Sequence, residues 1–190
     1  MPLSRVSNSI ISDNTITNAK INSSAAIAQS KLGSLNVNVT TSNLPNGTVL
    51  QFASTQFANA ISTSSTSAVA VSDLTVTITP TEAGNKIIWN MHGGHMSYNT
   101  SAVRLQTWLY VKVGSGSAAN VHPSGGSTKW TETNMASTFG HSTSMNHVYT
   151  TTGTDALEFT PYIASQNGSY TCGLNYSPYV ITASCMEIKA

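Results

Sequence analysis

The chain has 190 residues, only 8% of them charged, and a net charge of +1; an ordinary globular protein carries about 25% charged residues. Ser, Thr and Asn fill the gap and exceed a third of the chain, while β-branched residues abound, which excludes the low-hydrophobicity, high-charge signature of disorder. With 8 Lys and Arg and no cluster among them, the chain lacks the grouped cations of a nucleic-acid binder, and no apolar run approaches the roughly 18 residues of a membrane span.

The opening, Met1 to Ile11, has neither the apolar stretch nor the cleavage site of a secretory signal. The expected destination is therefore the cytosol, or a particle assembled there. Residues 1–45 contain no aromatic side chain. Apolar residues recur at Ile11, Ile16, Ile21, Ile27 and Leu32, a spacing that fits neither the helical nor the strand period. Polar, turn-prone residues separate them, as in Ser12-Asp13-Asn14-Thr15. One copy of such a segment cannot bury enough apolar surface to fold alone. Three copies around an axis can stack these side chains inward. Ser23 or Ser24 is placed to cap one short helix running to Gly33, too short to stand alone in water. The segment reads as an extended stem, residues 1–45, that trimerises and docks through Ile11, Ile16, Ile21, Ile27 and Leu32.

From residue 46 to 190 the pattern is that of strands. A turn at Leu44-Pro45-Asn46-Gly47 precedes Thr48–Ala53. Thr63–Ser67 reads as a surface loop. Leu74, Val76 and Ile78 alternate onto a core face. Lys86–Asn90 is the next strand, then Val103–Val113, with Val103, Leu105, Leu109 and Val111 on one side. Val148–Thr152, Ala156–Ala164, Ser169–Asn175 and Tyr179–Ile188 complete the set, separated by Gly, Asn and Pro turns. About eight strands and no long amphipathic helix predict an all-β fold, an antiparallel, jelly-roll-like sandwich, with residues 46–190 as its knob.

Two stretches carry a resemblance. Thr15-Ile16-Thr17-Asn18-Ala19-Lys20-Ile21-Asn22, followed by Ser24–Leu32, resembles the linker of tail-fibre proteins from marine and freshwater phages. Leu74–Pro80, Asn85–Ile88 and Ile181–Ile188 are similar to the small β-sandwich tip of the same proteins. The resemblance implies a homotrimeric, non-enzymatic appendage of a virion, made in the host cytoplasm. It implies contacts with other phage virion proteins through the stem and a tip that presents loops for host attachment. The short chain keeps a capsid-decoration or head-fibre role open beside the tail role. Trimerisation has its own physical sense: side-by-side sandwiches cover strand edges that otherwise invite mispairing, and symmetric closure stops open-ended growth.

His92-Gly93-Gly94-His95 invites a metal reading, but residues three apart on a regular strand face opposite ways and no acidic residue lies nearby to orient the imidazoles. The sequence reads better as a glycine-centred bend between Trp89 and Tyr98. No metal or other cofactor is expected. His141, His147 and Asp155 form no nucleophile elbow, and Asp155 with Glu158 is the lone close carboxylate pair for glycan cleavage. A polysaccharide depolymerase is accordingly the least favoured function. Tyr98, Trp130 and Tyr176 sit among Asn, Ser, Thr and Gly, neighbours that suit stacking on a sugar face, so they are the candidate ligand contacts for a host glycan or receptor. Trp130 packing under its own loop is the competing reading. Trp89 and Trp108 belong to the core or a subunit interface. Cys172 and Cys185 fall on what read as neighbouring strands; a bridge is geometrically open, while cytosolic synthesis favours two buried thiols. The sequons at Asn22, Asn38, Asn46, Asn99 and Asn167 arise from composition, and without a secretory signal they are expected to stay unmodified.

Overall fold

Two antiparallel sheets form the computed structural model, which describes residues 40–98, 105–122, 141–169, 171–175 and 180–190, with backbone alone at 94–98, 141–143 and 175. The strands among these residues are β1 (Val49–Phe57), β2 (Ile61–Thr63), β3 (Val69–Ala70), β4 (Val76–Ile78), β5 (Lys86–Tyr98), β6 (Leu105–Val113), β7 (Ala119–His122), β8 (His141–Thr150), β9 (Leu157–Ser165), β10 (Cys172–Asn175) and β11 (Ile181–Ile188). In one sheet β5 is flanked by β8 on one edge. Its other edge is shared by β11 and then β10, whose outer neighbours are β1 and β2. In the second sheet β6 lies between β7 and β9, and the far edge of β9 takes β3 and β4 in turn. The order β1-β11-β5-β8 facing β4-β9-β6-β7 is the connectivity of a jelly roll. Residues 1–39 of the stem, with the expected short helix and Ile11, Ile16, Ile21, Ile27 and Leu32, lie outside the described residues.

The core follows from alternation. Ile87, Trp89 and Met91 of β5, Met145 of β8 and Ile181, Ala183 and Cys185 of β11 turn inward from the first sheet. Val76, Ile78, Leu105, Leu109, Val111, Leu157, Phe159 and Ile163 meet them from the second. Each large apolar side chain so buried contributes about 1.5–3 kcal/mol. Leu74 belongs to this core as expected, but from a short 3-10 turn (Ser72–Leu74) that separates β3 from β4.

Strand ends differ from expectation where a strand changes partner. β5 does not stop at Asn90 but continues to Tyr98. Its register against β8 shifts between Gly93 and Met96, and there its other edge passes from β11 to β10. Gly93 has φ +91°, and a Cβ on it would lie 2.5 Å from the Val180 carbonyl oxygen. The bend expected at His92–His95 is thus a bulge inside one strand, tight enough to require glycine. β8 starts at His141, earlier than expected, and β7 was not expected at all.

The cysteines are free and buried. Cys172 pairs with Tyr98 and Cys185 with Trp89, nine residues apart along β5. At strand rise that is roughly 30 Å, where a bridge needs Cα atoms within about 7 Å. The expectation of neighbouring strands is corrected: β10 and β11 follow one another along a single edge. Burial pushes the Cys185 thiol up to about 12 and raises that of Cys172.

One inward position carries a charge. Glu187 of β11 is fully buried. Its Oε1 accepts from Asn85 Nδ2 at 2.7 Å, the Thr81 N–H at 2.8 Å and Thr81 Oγ1 at 2.9 Å, and its Oε2 accepts from Gln51 Nε2. Burial pushes its pKa up, but the hydrogen bonds from Asn85, Gln51 and Thr81 outweigh burial and hold the carboxyl below its ordinary range. The network joins β1, the β4–β5 turn and β11. Beside it, Lys189 Nζ donates to the carbonyls of Thr41, Ser42 and Leu44, fixing residues 41–44 to the end of the chain.

Candidate interaction faces

Each sheet turns one face to the core and one outward, and the two outward faces are built differently. On the β1-β11-β5-β8 sheet the register aligns side chains in rows across all four strands. Phe52, Met186, Ile88 and Val148 form one such row. Phe52 is 60% exposed and Val148 58%, on the two edge strands; Met186 and Ile88 between them are half-buried. The adjoining row is Val49, Ile188, Lys86 and Thr150, in which Val49 is exposed and Lys86 Nζ donates to Thr150 Oγ1 at 2.7 Å. Beyond the apolar row come Ser54, Ser184, Asn90 and Asn146, then Gln56, Thr182, His92 and Ser144. The face is an apolar band bordered by neutral hydrogen-bonding groups.

The outward face of the second sheet is satisfied within itself. Lys112 Nζ lies 2.8 Å from Glu158 Oε1. Thr75 and Thr160 share a hydrogen bond of 2.9 Å. The rings of Tyr110 and Tyr162 stand 4.1 Å apart, tilted, next to the buried Trp108. Trp89 is a core residue as expected; Trp108 is buried but shares a register position with Tyr162, away from the core cluster.

A third feature sits at the rim between the sheets, where His122 of β7 and His147 of β8 bring their rings within 5.2 Å. Burial lowers the pKa of His122; burial and then the charge of His122 lower that of His147. Asp155 is exposed in the β8–β9 turn beside Gly114. Glu158, the other carboxylate of that pair, is engaged by Lys112.

The remaining expected site residues divide as follows. His92 is exposed on the outer face, between Thr182 and Ser144. His95 lies in the β5 bulge with only its backbone described. No group of three potential metal ligands occurs among the described residues. Tyr98 ends β5 opposite Cys172, and its side chain is outside the description. Trp130 and Tyr176 lie outside the described residues. The sequence reading missed the apolar row. Its signal was present in Lys86-Ile87-Ile88-Trp89 and Cys185-Met186-Glu187-Ile188, where apolar residues occupy both parities of the strand. That pattern belongs to strands covered on both faces.

No family model and no curated protein matches the chain. Among solved structures, a chain from a structure of infectious bursal disease virus, Gx strain, aligns with a TM-score of 0.37 at 9% identity, over 74% of this chain and 41% of that one. A chain from the Gt strain of the same virus aligns at 0.31 and 13% identity, over 76% of this chain and 43% of that one. This chain thus spans about two fifths of the length of either neighbour. Agreement that loose assigns neither family nor function.

Proposed function

We propose that the chain is a non-enzymatic structural protein of a bacteriophage surface, a homotrimeric fibre or knob subunit whose sandwich presents loops for host attachment. The observation that carries this reading is how the charged side chains of the described strands and of Lys189 are used, Asp73, Glu82 and Asp155 standing exposed in turns. Glu187 accepts four hydrogen bonds inside the fold, Lys112 holds Glu158, Lys189 holds three carbonyls and Lys86 a threonine. What the outward faces offer is neutral polar and apolar surface, which serves non-covalent contact. Resemblance of Thr15–Leu32 to a phage fibre linker supplies the particle. Weak single contacts by the loops are multiplied when three copies act together.

Two assays test the reading. Gold-labelled antibody against the chain is expected to decorate purified particles, at the tail for a fibre and over the head for a decoration protein; particles that lack the chain contradict the reading. Pre-incubating host cells with purified chain is expected to slow phage adsorption. Absence of binding to host cells and host glycans alike removes the attachment role.

A further inference from the structure

We infer that the outward face of the β1-β11-β5-β8 sheet is where copies of this chain meet; the inference rests on the homotrimeric reading and names its contact surface. Single exposed apolar residues need no explanation, but a contiguous apolar band rimmed by polar groups marks a contact. Here the band crosses the full width of the sheet from Phe52 to Val148 and is widened by Val49 and Ile188. An antiparallel sheet with one face in water carries polar residues on that face. Ile88 and Met186 break that rule at its centre.

The chemistry of the face selects a second copy as its occupant. Among the residues of the four rows Lys86 alone carries a full charge, and Thr150 engages its ammonium. A charged partner would find little to pair with here. A face that meets its own kind must not repel itself, and this one carries no field of one sign. Its polar border of Ser54, Ser184, Asn90 and Asn146 consists of groups that both donate and accept, so identical groups can bond across a symmetric contact.

The placement of the exposed side chains favours closure around an axis over a pair. The two most exposed apolar side chains stand at opposite edges, Phe52 on β1 and Val148 on β8. In a ring, the Phe52 edge of one copy can meet the Val148 edge of the next, which also covers the outer edges of β1 and β8, unpaired among the described residues. Strand spacing and rise make the face roughly 500 Å² in projection, short of the roughly 800 Å² per partner of a stable pair. A ring shares this face between two neighbours and adds to it the outer edges of β1 and β8.

The test is sedimentation of the full-length chain over a wide concentration range. Wild type is expected to be a trimer. Phe52→Asp and Val148→Asp are each expected to raise the trimer's dissociation constant at least tenfold, and the double variant, held by the stem alone, to raise it further than either. Thr77→Lys, on the outward face of the other sheet, is expected to leave assembly unchanged. Both replaced side chains are more than half exposed in the single chain, so circular dichroism should match wild type; if an aspartate disturbs the fold, Phe52→Ser and Val148→Ser give the same reading. A folded double variant whose trimer dissociates no more readily than wild type overturns the inferred face and leaves the trimeric reading standing. A wild type that is monomeric at every concentration overturns both. A double variant that assembles normally yet fails to join particles shows that the face meets another virion protein, and that too overturns the inference.

Discussion

Glu187→Ala removes the acceptor of four hydrogen bonds at once. The donors do not suffer equally. Thr81 is exposed to water, and Gln51 Nε2 also donates to the Thr79 carbonyl. Asn85 is only 3% exposed, and its amide keeps one long contact, 3.2 Å to Thr81 Oγ1. A buried donor left poorly satisfied costs about 1–3 kcal/mol, and a hydrogen bond to a charged group is worth about 1.5–3 kcal/mol. The expected loss is about 3 kcal/mol at neutral pH, or a fall in melting temperature of roughly 6–12 °C for a unit of this size. Glu187→Gln keeps one acceptor oxygen for Asn85 and Thr81 but turns an amide donor toward Gln51, so its cost is about 1–2 kcal/mol. The pH dependence has a definite sign. Because the folded carboxyl titrates below its ordinary value of 4.5, its stabilisation is whole above that value and is lost as pH falls through the lower folded one. The gap between wild type and Glu187→Gln should therefore narrow in acid. Urea unfolding followed by fluorescence of the buried Trp89, at about pH 7 and about pH 3, measures both quantities. Equal midpoints at neutral pH, or a gap that widens in acid, would refute the reasoning.

Other expectations are simpler to check. Gly93→Ala should cost about 1–3 kcal/mol in urea unfolding, since a Cβ there meets the Val180 carbonyl at positive φ, whereas Gly153→Ala, with open space around it, should stay within about 0.5 kcal/mol of wild type. His122 and His147 titrate below 6.5 when folded, so the unfolded chain takes protons first and stability should drop as pH falls below that value; His147→Gln should flatten the slope, and an unchanged slope would sink the assignment. Neither buried thiol should react with iodoacetamide in the folded protein at neutral pH, and both should react in urea; rapid labelling of native Cys185 would contradict its placement. Ile16→Asp with Ile21→Asp should abolish trimers or virion docking while leaving the sandwich soluble, as read by sedimentation, and normal trimers would refute the stem's role.

Much of the fold was legible because alternation at Leu74–Ile78, Leu105–Val111 and Ile181–Cys185 speaks for itself. The misreadings have local causes. β5 looked as if it ended at Asn90 because Gly93-Gly94 is a breaker in isolation; the strand continues because a second partner, β10, takes over its edge beyond the bulge. The pairing of β1 slips between Val49 and Gln51, so Phe52 turns outward and Gln51 inward, a consequence of one irregular residue in a period of two. Glu187 gave no hint of burial by itself. Its four donors come from Gln51, Thr81 and Asn85, more than a hundred residues away in sequence. The apolar row was written in Ile88 and Met186, yet only the register shows that these residues align with Phe52 and Val148. Trp130 and Tyr176 lie outside the described residues.

Image reconstruction of purified phage particles, with the chain marked by a fused tag, is the most direct single measurement. The expected density is a three-fold knob on the particle surface, with the β1-β11-β5-β8 sheet of each copy turned toward its neighbours. Particles that lack the tag, or that carry it as isolated single sandwiches, would contradict a trimeric surface protein.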